Sequence, residues 1–332
     1  MRKIKVAQIG TSLNSHGIWT FNSLKKYPDV FDVAGFVLPE NEREKFPERM
    51  EIFDGYRELT LDEVINNPEI EAVAVETEEI YLTKYAQMAA DAKKHIHMEK
   101  PGGTDLAAFE KLIETVRKNN TVFHTGYMYR YNPFVSKLIE DIDNGELGDI
   151  ISVDAQMSCL HPKETRQWLE NFPGGMMFFL GCHLVDLIYR IQGKPKNIIP
   201  LSRASGVDGV TASDFGMAVF EYEKGVSFAK SSAVEIGGFE RRQLVVSGTK
   251  KTVELKPLEW IVGDNQTTDR YTRETTDWYK KHEAETSEIY NRYDGMILSF
   301  GEMVRGEKEN PWNYDYELEL YKILLKACGG IK

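Results

Sequence analysis

The chain has 332 residues, enough for two domains at roughly 100 to 200 residues each. Hydrophobic residues make up 42% and charged residues 28%, a balance that excludes a mainly disordered or fibrous protein. A formal charge of −11 leaves no overall basic field to gather nucleic-acid phosphates or anionic lipid, so the expected partner is a small molecule.

No apolar run approaches the roughly 20 residues of a bilayer span; the longest is Met176 to Leu180. The run after Arg2, Lys3 and Lys5 is interrupted by Gln8 and ends at Gly10, which suits a first buried strand better than a secretion signal. Cys159, Cys182 and Cys328 are odd in number and lack C-x-x-C spacing, so neither a disulfide framework nor a structural zinc site is signalled. A reducing cytoplasm is the expected compartment.

From Ile4 onward, short apolar runs alternate with helix-period segments. The expected strands are Ile4 to Ile9, Val33 to Leu38, Ala72 to Val75, His95 to Met98 and Val122 to His124, and the expected helices are Leu82 to Ala92 and Asp105 to Asn119. Thr60 followed by Glu63 has capping-box spacing before a short helix. Strands alternating with helices at this spacing predict a parallel sheet covered on both faces. After Gly126 the pattern changes: a helix around Phe134 to Asp141 precedes alternating segments at Ile150 to Met157, Phe215 to Phe220, Val226 to Val234, Gln243 to Ser247 and Thr252 to Leu255. Tight turns such as Lys224-Gly225 join them, which predicts an antiparallel sheet. The polar stretch Asp264 to Glu288 reads as a solvated excursion, and helices over Tyr290 to Val304 and Tyr314 to Ala327 close the chain before a stop at Gly329. One boundary near residue 125 divides residues 1–125 from 126–332.

Three constellations bear chemistry. Gly10-Thr11-Ser12-Leu13-Asn14-Ser15-His16-Gly17 follows a strand and opens a helix-period segment, the context of a dinucleotide phosphate loop. Ser12 and Ser15 occupy the second and third glycine places of G-x-G-x-x-G, so an ordinary strand-to-helix turn stays open beside the phosphate reading. No Asp or Glu ends the strand Val33 to Leu38, where a ribose-binding carboxylate is expected; Glu40 lies slightly beyond, which leaves NAD and NADP undivided. Glu99-Lys100-Pro101 follows the strand His95 to Met98 at the carboxyl end of the expected parallel sheet. A lysine in a partly desolvated cleft there polarises a substrate oxygen or exchanges a proton, and the alternative is a solvated surface lysine. The third is Pro173-Gly174-Gly175, then Gly181-Cys182-His183-Leu184-Val185-Asp186, in which spacing of three sets His183 and Asp186 on one helical face. Imidazole exchanges protons near pH 7, although a lone buried histidine also serves as a structural residue. Cys182, His183 and Asp186, with Cys159 or His161, have no familiar metal-ligand spacing, and no metal is expected.

In order and separation these segments, with Gly126-Tyr127-Met128-Tyr129-Arg130-Tyr131-Asn132-Pro133 and Gly145-Glu146-Leu147-Gly148, resemble the Gfo/Idh/MocA family of glucose-fructose oxidoreductase and inositol dehydrogenase relatives over nearly the whole chain. The resemblance implies an N-terminal Rossmann domain, a C-terminal α/β domain with a large, mainly antiparallel open sheet, and a homodimer or homotetramer. It also implies NAD- or NADP-dependent oxidation of an alcohol carbon on a sugar, polyol or related compound.

Carried over by position, Gly10, Thr11, Ser12 and Thr77 line the cofactor cleft and Glu99 approaches the cofactor ribose. Lys100 sits beside the nicotinamide and binds the reacting oxygen, His183 is the proton acceptor, and Trp168 matches an aromatic near the nicotinamide. Asp186 is retained as a group that orients His183, while Tyr127, Tyr129 and Arg166 are expected to shape the substrate pocket. Two positions depart from the family pattern: Phe179 stands where many members have an Asp four residues before the histidine, and Leu169 replaces a frequent Arg. These departures keep two further readings in view, an NAD-retaining glycoside hydrolase-like enzyme and a non-catalytic binding or regulatory protein on the same scaffold.

Overall fold

A computed structural model describes residues 2–274 and 282–331. They group into two compact units, one of residues 1–127 and 293–321, the other of residues 128–292 and 322–332. A single boundary near 125 does not describe this arrangement, because residues 293–321 group with the first unit. There Ser23 Oγ donates to Asp294 (2.9 Å), Thr125 Oγ1 donates to Glu317 (2.8 Å), and Tyr321 donates to the carbonyl of Gly103 (2.9 Å).

The first unit is a five-stranded parallel sheet of β1 (Ile4–Ile9), β2 (Phe31–Val37), β3 (Ala72–Val75), β4 (His95–Met98) and β5 (Phe123–Thr125), in the order β2-β1-β3-β4-β5. Between the strands run α1 (Gly17–Lys26), α2 (Glu42–Lys45), α3 (Leu61–Asn66), α4 (Leu82–Asp91) and α5 (Leu106–Asn119). All four side chains of β3 are buried, as a central strand covered on both faces requires. Thr60 and Glu63 form the expected capping box at α3, each side chain bonded to the other's backbone N–H. Asp105 caps α5 through the N–H groups of Ala107 and Ala108. Strand order reverses between β1 and β3, so the crevice at their carboxyl ends is the topological switch point where open α/β sheets bind ligands.

The second unit holds α6 (Pro133–Asp143), β6 (Ile150–Gln156), α7 (Lys163–Trp168), α8 (Met176–Phe179), α9 (Cys182–Gln192) and strands β7 (Asn197–Pro200), β8 (Phe215–Glu221), β9 (Val226–Ser232), β10 (Gln243–Gly248) and β11 (Thr252–Leu255). Then come β12 (Trp260–Val262), β13 (Asn265–Thr267), β14 (Asp269–Arg273) and β15 (Glu285–Thr286). Its eight-stranded sheet runs β15-β14-β11-β10-β6-β9-β8-β7, and every pair is antiparallel except β6 with β9. Burial alternates along β8 and β10, the period of a sheet with one covered face.

Two expectations are corrected. Asp264 to Glu288 is not simply a solvated excursion: β13, β14 and β15 fall within it, and its residues 275–281 lie outside the described residues. Its polar side chains hid the strand because some are buried through partners, as where Arg270 pairs with Asp141 of α6. The helix expected from Tyr290 starts instead at Asp294 as α10 (Asp294–Arg305), since Tyr290 exchanges both backbone bonds with Gln266 (2.8 and 2.9 Å) and is therefore extended. The last helix, α11, spans Tyr314–Ala327 as expected. Among the described residues, no helix is long and apolar enough to cross a membrane.

Candidate active site

β1 delivers Gly10 to the switch point with φ +90°, a conformation that disfavours any side chain. A Cβ there would stand 2.6 Å from Thr77 Cγ2 and 2.7 Å from Thr77 N, so the loop backbone lies directly on the turn after β3. Gln8 Nε2 donates to the carbonyls of Gly10 (2.9 Å) and Gly17 (3.0 Å), tying the two ends of the loop together. Ser15, in the third glycine place, is an internal strut: its Oγ donates to Ser12 O (3.1 Å) and accepts from Gly17 N (3.2 Å). Thr11 and Ser12 are buried with hydroxyls that have no hydrogen-bond partner. A close backbone approach, small side chains and unmatched donors at a switch point fit a dinucleotide. Thr11, Ser12, Thr77 and Glu99 are the residues that would hold it.

Glu99 follows β4 and is buried. One oxygen accepts from His16 N (3.2 Å) and faces His16 Nδ1 at 2.8 Å; the other accepts from Lys100 N (3.1 Å) and lies 3.6 Å from Lys100 Nζ. Burial pushes the Glu99 carboxyl up, but His16 and then Lys100 outweigh it and hold the group at about 2. Glu99 is thus a fixed anion that holds the Lys100 backbone and the end of the first loop together. The Lys100-Pro101 peptide is cis, and Lys100 is buried. Tyr127, just past β5, is buried in the same unit.

Two acids that the sequence reading did not single out stand nearby in this unit. Glu42 is buried with one oxygen on Thr11 N (2.8 Å); desolvation pushes its carboxyl up to about 8, with Thr11 N–H opposing. Glu79 is fully buried with neither oxygen bonded to another residue, and desolvation lifts it to about 8 against the pull of Lys100.

In the second unit, His183 is the second residue of α9, buried, with the Tyr129 ring edge-on at 5.1 Å. Tyr129 donates to Glu259 and accepts from Arg242 Nη1 (3.1 Å); Glu259 also pairs with Arg242 and with Arg292 (3.0 Å). Burial, then the Glu259 charge, pushes the Tyr129 hydroxyl well above its ordinary range, so this ring backs His183 as a neutral group. Asp186 takes a two-pronged bond from Arg130, Nε to Oδ2 at 2.9 Å and Nη2 to Oδ1 at 2.7 Å, with both side chains buried. Such a fork fixes a carboxylate in orientation as well as charge.

Trp168 and Arg166 also lie in this unit. The Trp168 ring packs edge-on against Phe172 (4.6 Å) and Phe179 (5.2 Å), so the residue in place of the family's Asp is a buried aromatic partner. Arg166 is buried and donates to the carbonyls of His161 and Val207 while pairing with Asp208 and Asp214. It binds the segment before α7 to the loop before β8 and lines a surface depression with Leu160, His161, Val207 and Ile236.

His16, Glu42, Glu79, Arg130, Arg242 and Glu259 were not legible as site residues. Arg130 stood inside a quoted motif, but its partner Asp186 is 56 positions away. Glu42 was concealed by the two left-handed residues before it, Glu40 and Asn41.

Comparison with known proteins agrees with this geometry. Residues 4–127 match a model of the oxidoreductase family with an NAD-binding Rossmann fold, and residues 135–254 match a GFO/IDH/MocA C-terminal domain. The chain is 23% identical over 274 residues to the uncharacterized oxidoreductase YrbE of Bacillus subtilis, covering 78% of this chain and 74% of that one. It is 28% identical over 174 residues to myo-inositol 2-dehydrogenase of Thermotoga maritima, covering 52% and 50%. In fold it is similar to levoglucosan dehydrogenase solved with NADH and levoglucosan, at TM-score 0.80 and 15% identity over 99% of this chain and 98% of that one. It is similar also to KijD10, a 3-ketoreductase of Actinomadura kijaniata solved with NADP, at TM-score 0.80 and 16% identity over 99% and 98%. With both family domains matched in order along most of its length, the chain belongs to the Gfo/Idh/MocA oxidoreductases, whose N-terminal domain is an NAD-binding Rossmann fold.

Proposed function

We propose that this chain moves a hydride between NAD(P) and a hydroxyl-bearing carbon of a sugar, polyol or related small molecule. The observation that carries the reading is the glycine-cradled loop at the switch point, with the buried hydroxyls of Thr11 and Ser12 unmatched. The substrates named for the inositol and levoglucosan enzymes support the substrate class. When bound, the nicotinamide supplies the hydride acceptor.

His183 takes the hydroxyl proton as the carbinol carbon gives up its hydride. The ammonium of Lys100 offsets the charge developing on the oxygen, an interaction worth most away from bulk water. Glu99 holds the Lys100 backbone in place. The Arg130–Asp186 pair fixes the turn of α9 that follows His183. Tyr127 and Tyr129 are assigned to substrate contact.

The test is a titration with NADH and NADPH, then an oxidation screen of sugars, inositols and sugar acids. Lys100→Ala and His183→Ala each abolish turnover while cofactor affinity stays within a few fold. A large loss of dinucleotide binding in His183→Ala would remove its assigned role. Phe179, an apolar ring where the family has a carboxylate, favours a second reading in which the scaffold binds without oxidising. Tight NAD(P)H binding with no turnover across the screen would select it, whereas cofactor retained through purification without net NADH formation would select the hydrolase-like reading. Half-exposed Met217, Val219 and Phe228 on β8 and β9 support a homodimer or homotetramer, read out by light scattering of the eluted protein.

A further inference from the structure

We propose that Glu42 receives the adenosine ribose hydroxyls and makes the first unit selective for NAD over NADP; this rests on the dinucleotide occupying the first loop. The place where a Rossmann strand ordinarily offers a ribose carboxylate, the end of β2, is followed here by Leu38 and Pro39. The next two residues, Glu40 and Asn41, both have positive φ, 56° and 59°. That double left-handed turn brings the first residue of α2 back onto the loop after β1, where Glu42 Oε2 accepts from Thr11 N at 2.8 Å. The carboxylate has reached the loop from four positions further along the chain than Leu38.

Its other oxygen is the informative one. Glu42 is 1% exposed and its Oε1 has no hydrogen-bond partner, and in the loop it bonds the hydroxyls of Thr11 and Ser12 are buried and unmatched too. A buried carboxyl oxygen left without a partner costs free energy that a ligand hydroxyl recovers. A ribose 2′,3′-diol supplies two such donors, and their bonds favour the charged carboxylate. A 2′-phosphate supplies negative charge and acceptor oxygens instead.

Carboxylates as well as cations surround the place of that phosphate: Glu40 and Glu78 act on Glu42 with the same sign, Lys45 and Arg49 with the opposite one. Lys84 is paired with Glu40, and Arg43 with Glu58. Arg49, the cation buried at the loop, donates to the carbonyls of Leu13 and Ser15.

The experiment is direct binding of NADH, NADPH, ADP-ribose and 2′-phospho-ADP-ribose by calorimetry, with nicotinamide fluorescence for the reduced pair. The wild-type chain should bind NADH and ADP-ribose about tenfold or more tightly than their 2′-phosphorylated counterparts. Glu42→Gln, which keeps an acceptor for Thr11 N–H, should weaken NADH about tenfold and bring the ratio close to one. Glu40→Gln should leave NADH affinity within about twofold, and the thermal midpoint of each variant without dinucleotide shows that it is folded. Wild-type protein that binds NADPH as well as NADH overturns the proposal while leaving dinucleotide binding intact. So does a folded Glu42→Gln that loses both dinucleotides equally. If the wild type binds none of the four, the dinucleotide reading fails and takes this proposal with it.

Discussion

Glu79 gives a sharp test of how this fold holds charge. Its carboxyl is fully buried, neither oxygen is bonded to another residue, and it titrates at about 8 against the ordinary 4.5. At 1.36 kcal/mol per pH unit, ionising it in the folded state costs up to about 5 kcal/mol. Relaxation and water entry lower the effective penalty of a buried charge, and we expect roughly 3 kcal/mol. The sign follows from linkage: the folded state holds the proton more tightly than the unfolded state. Its advantage is full below pH 4.5 and is lost as pH rises toward 8.

Glu79→Gln has nearly the same shape and no titration. The wild type should therefore lose stability relative to the variant between pH 5 and pH 9, by roughly 6 °C or more in thermal midpoint for a unit of this size. Comparing the two proteins at each pH cancels the parallel slope from Glu42, whose carboxyl is also pushed up to about 8. The assay is thermal unfolding by circular dichroism at pH 5, 7 and 9 without dinucleotide. If the two midpoints run parallel across that range, the carboxyl of Glu79 is hydrated and the reasoning fails.

Gly10→Ala places a methyl 2.6 to 2.8 Å from three atoms of Thr77 in a left-handed backbone; an affinity loss for NADH of about tenfold or more follows from strain of roughly 1 to 3 kcal/mol, and calorimetry giving wild-type affinity would refute it. Arg130→Met removes the two-pronged bond on the buried Asp186 carboxylate and should cost roughly 3 to 5 kcal/mol in urea unfolding. The double variant Arg130→Met with Asp186→Leu should recover most of that loss, and a double variant as unstable as the single one would show that the ion pair was not the cause.

Much of the first unit could be read before any coordinates. The strands β1, β3 and β4 are short, largely buried runs ended by a turn, so hydrophobic spacing alone marks them at their observed ends. The helix starts were legible for a related reason: Thr60 with Glu63 and Asp105 bond within their own first turn, so donor and acceptor lie within three residues. β14 was illegible because its inward side chain Arg270 is buried by Asp141, 129 positions away, which no local pattern announces.

The linear chain determined the parallel sheet of the first unit and the loop after β1, because each follows from periodicity and turn chemistry over a few residues, while Lys100 and His183 were marked as site residues by the family resemblance. Only the tertiary structure decided that Glu42 returns to the loop after β1, that Arg130 holds Asp186, and that Glu99 is tied to His16. Those contacts join residues 31 to 83 positions apart, and their energies come from burial and charge, which exist only once distant segments have been brought together and water removed.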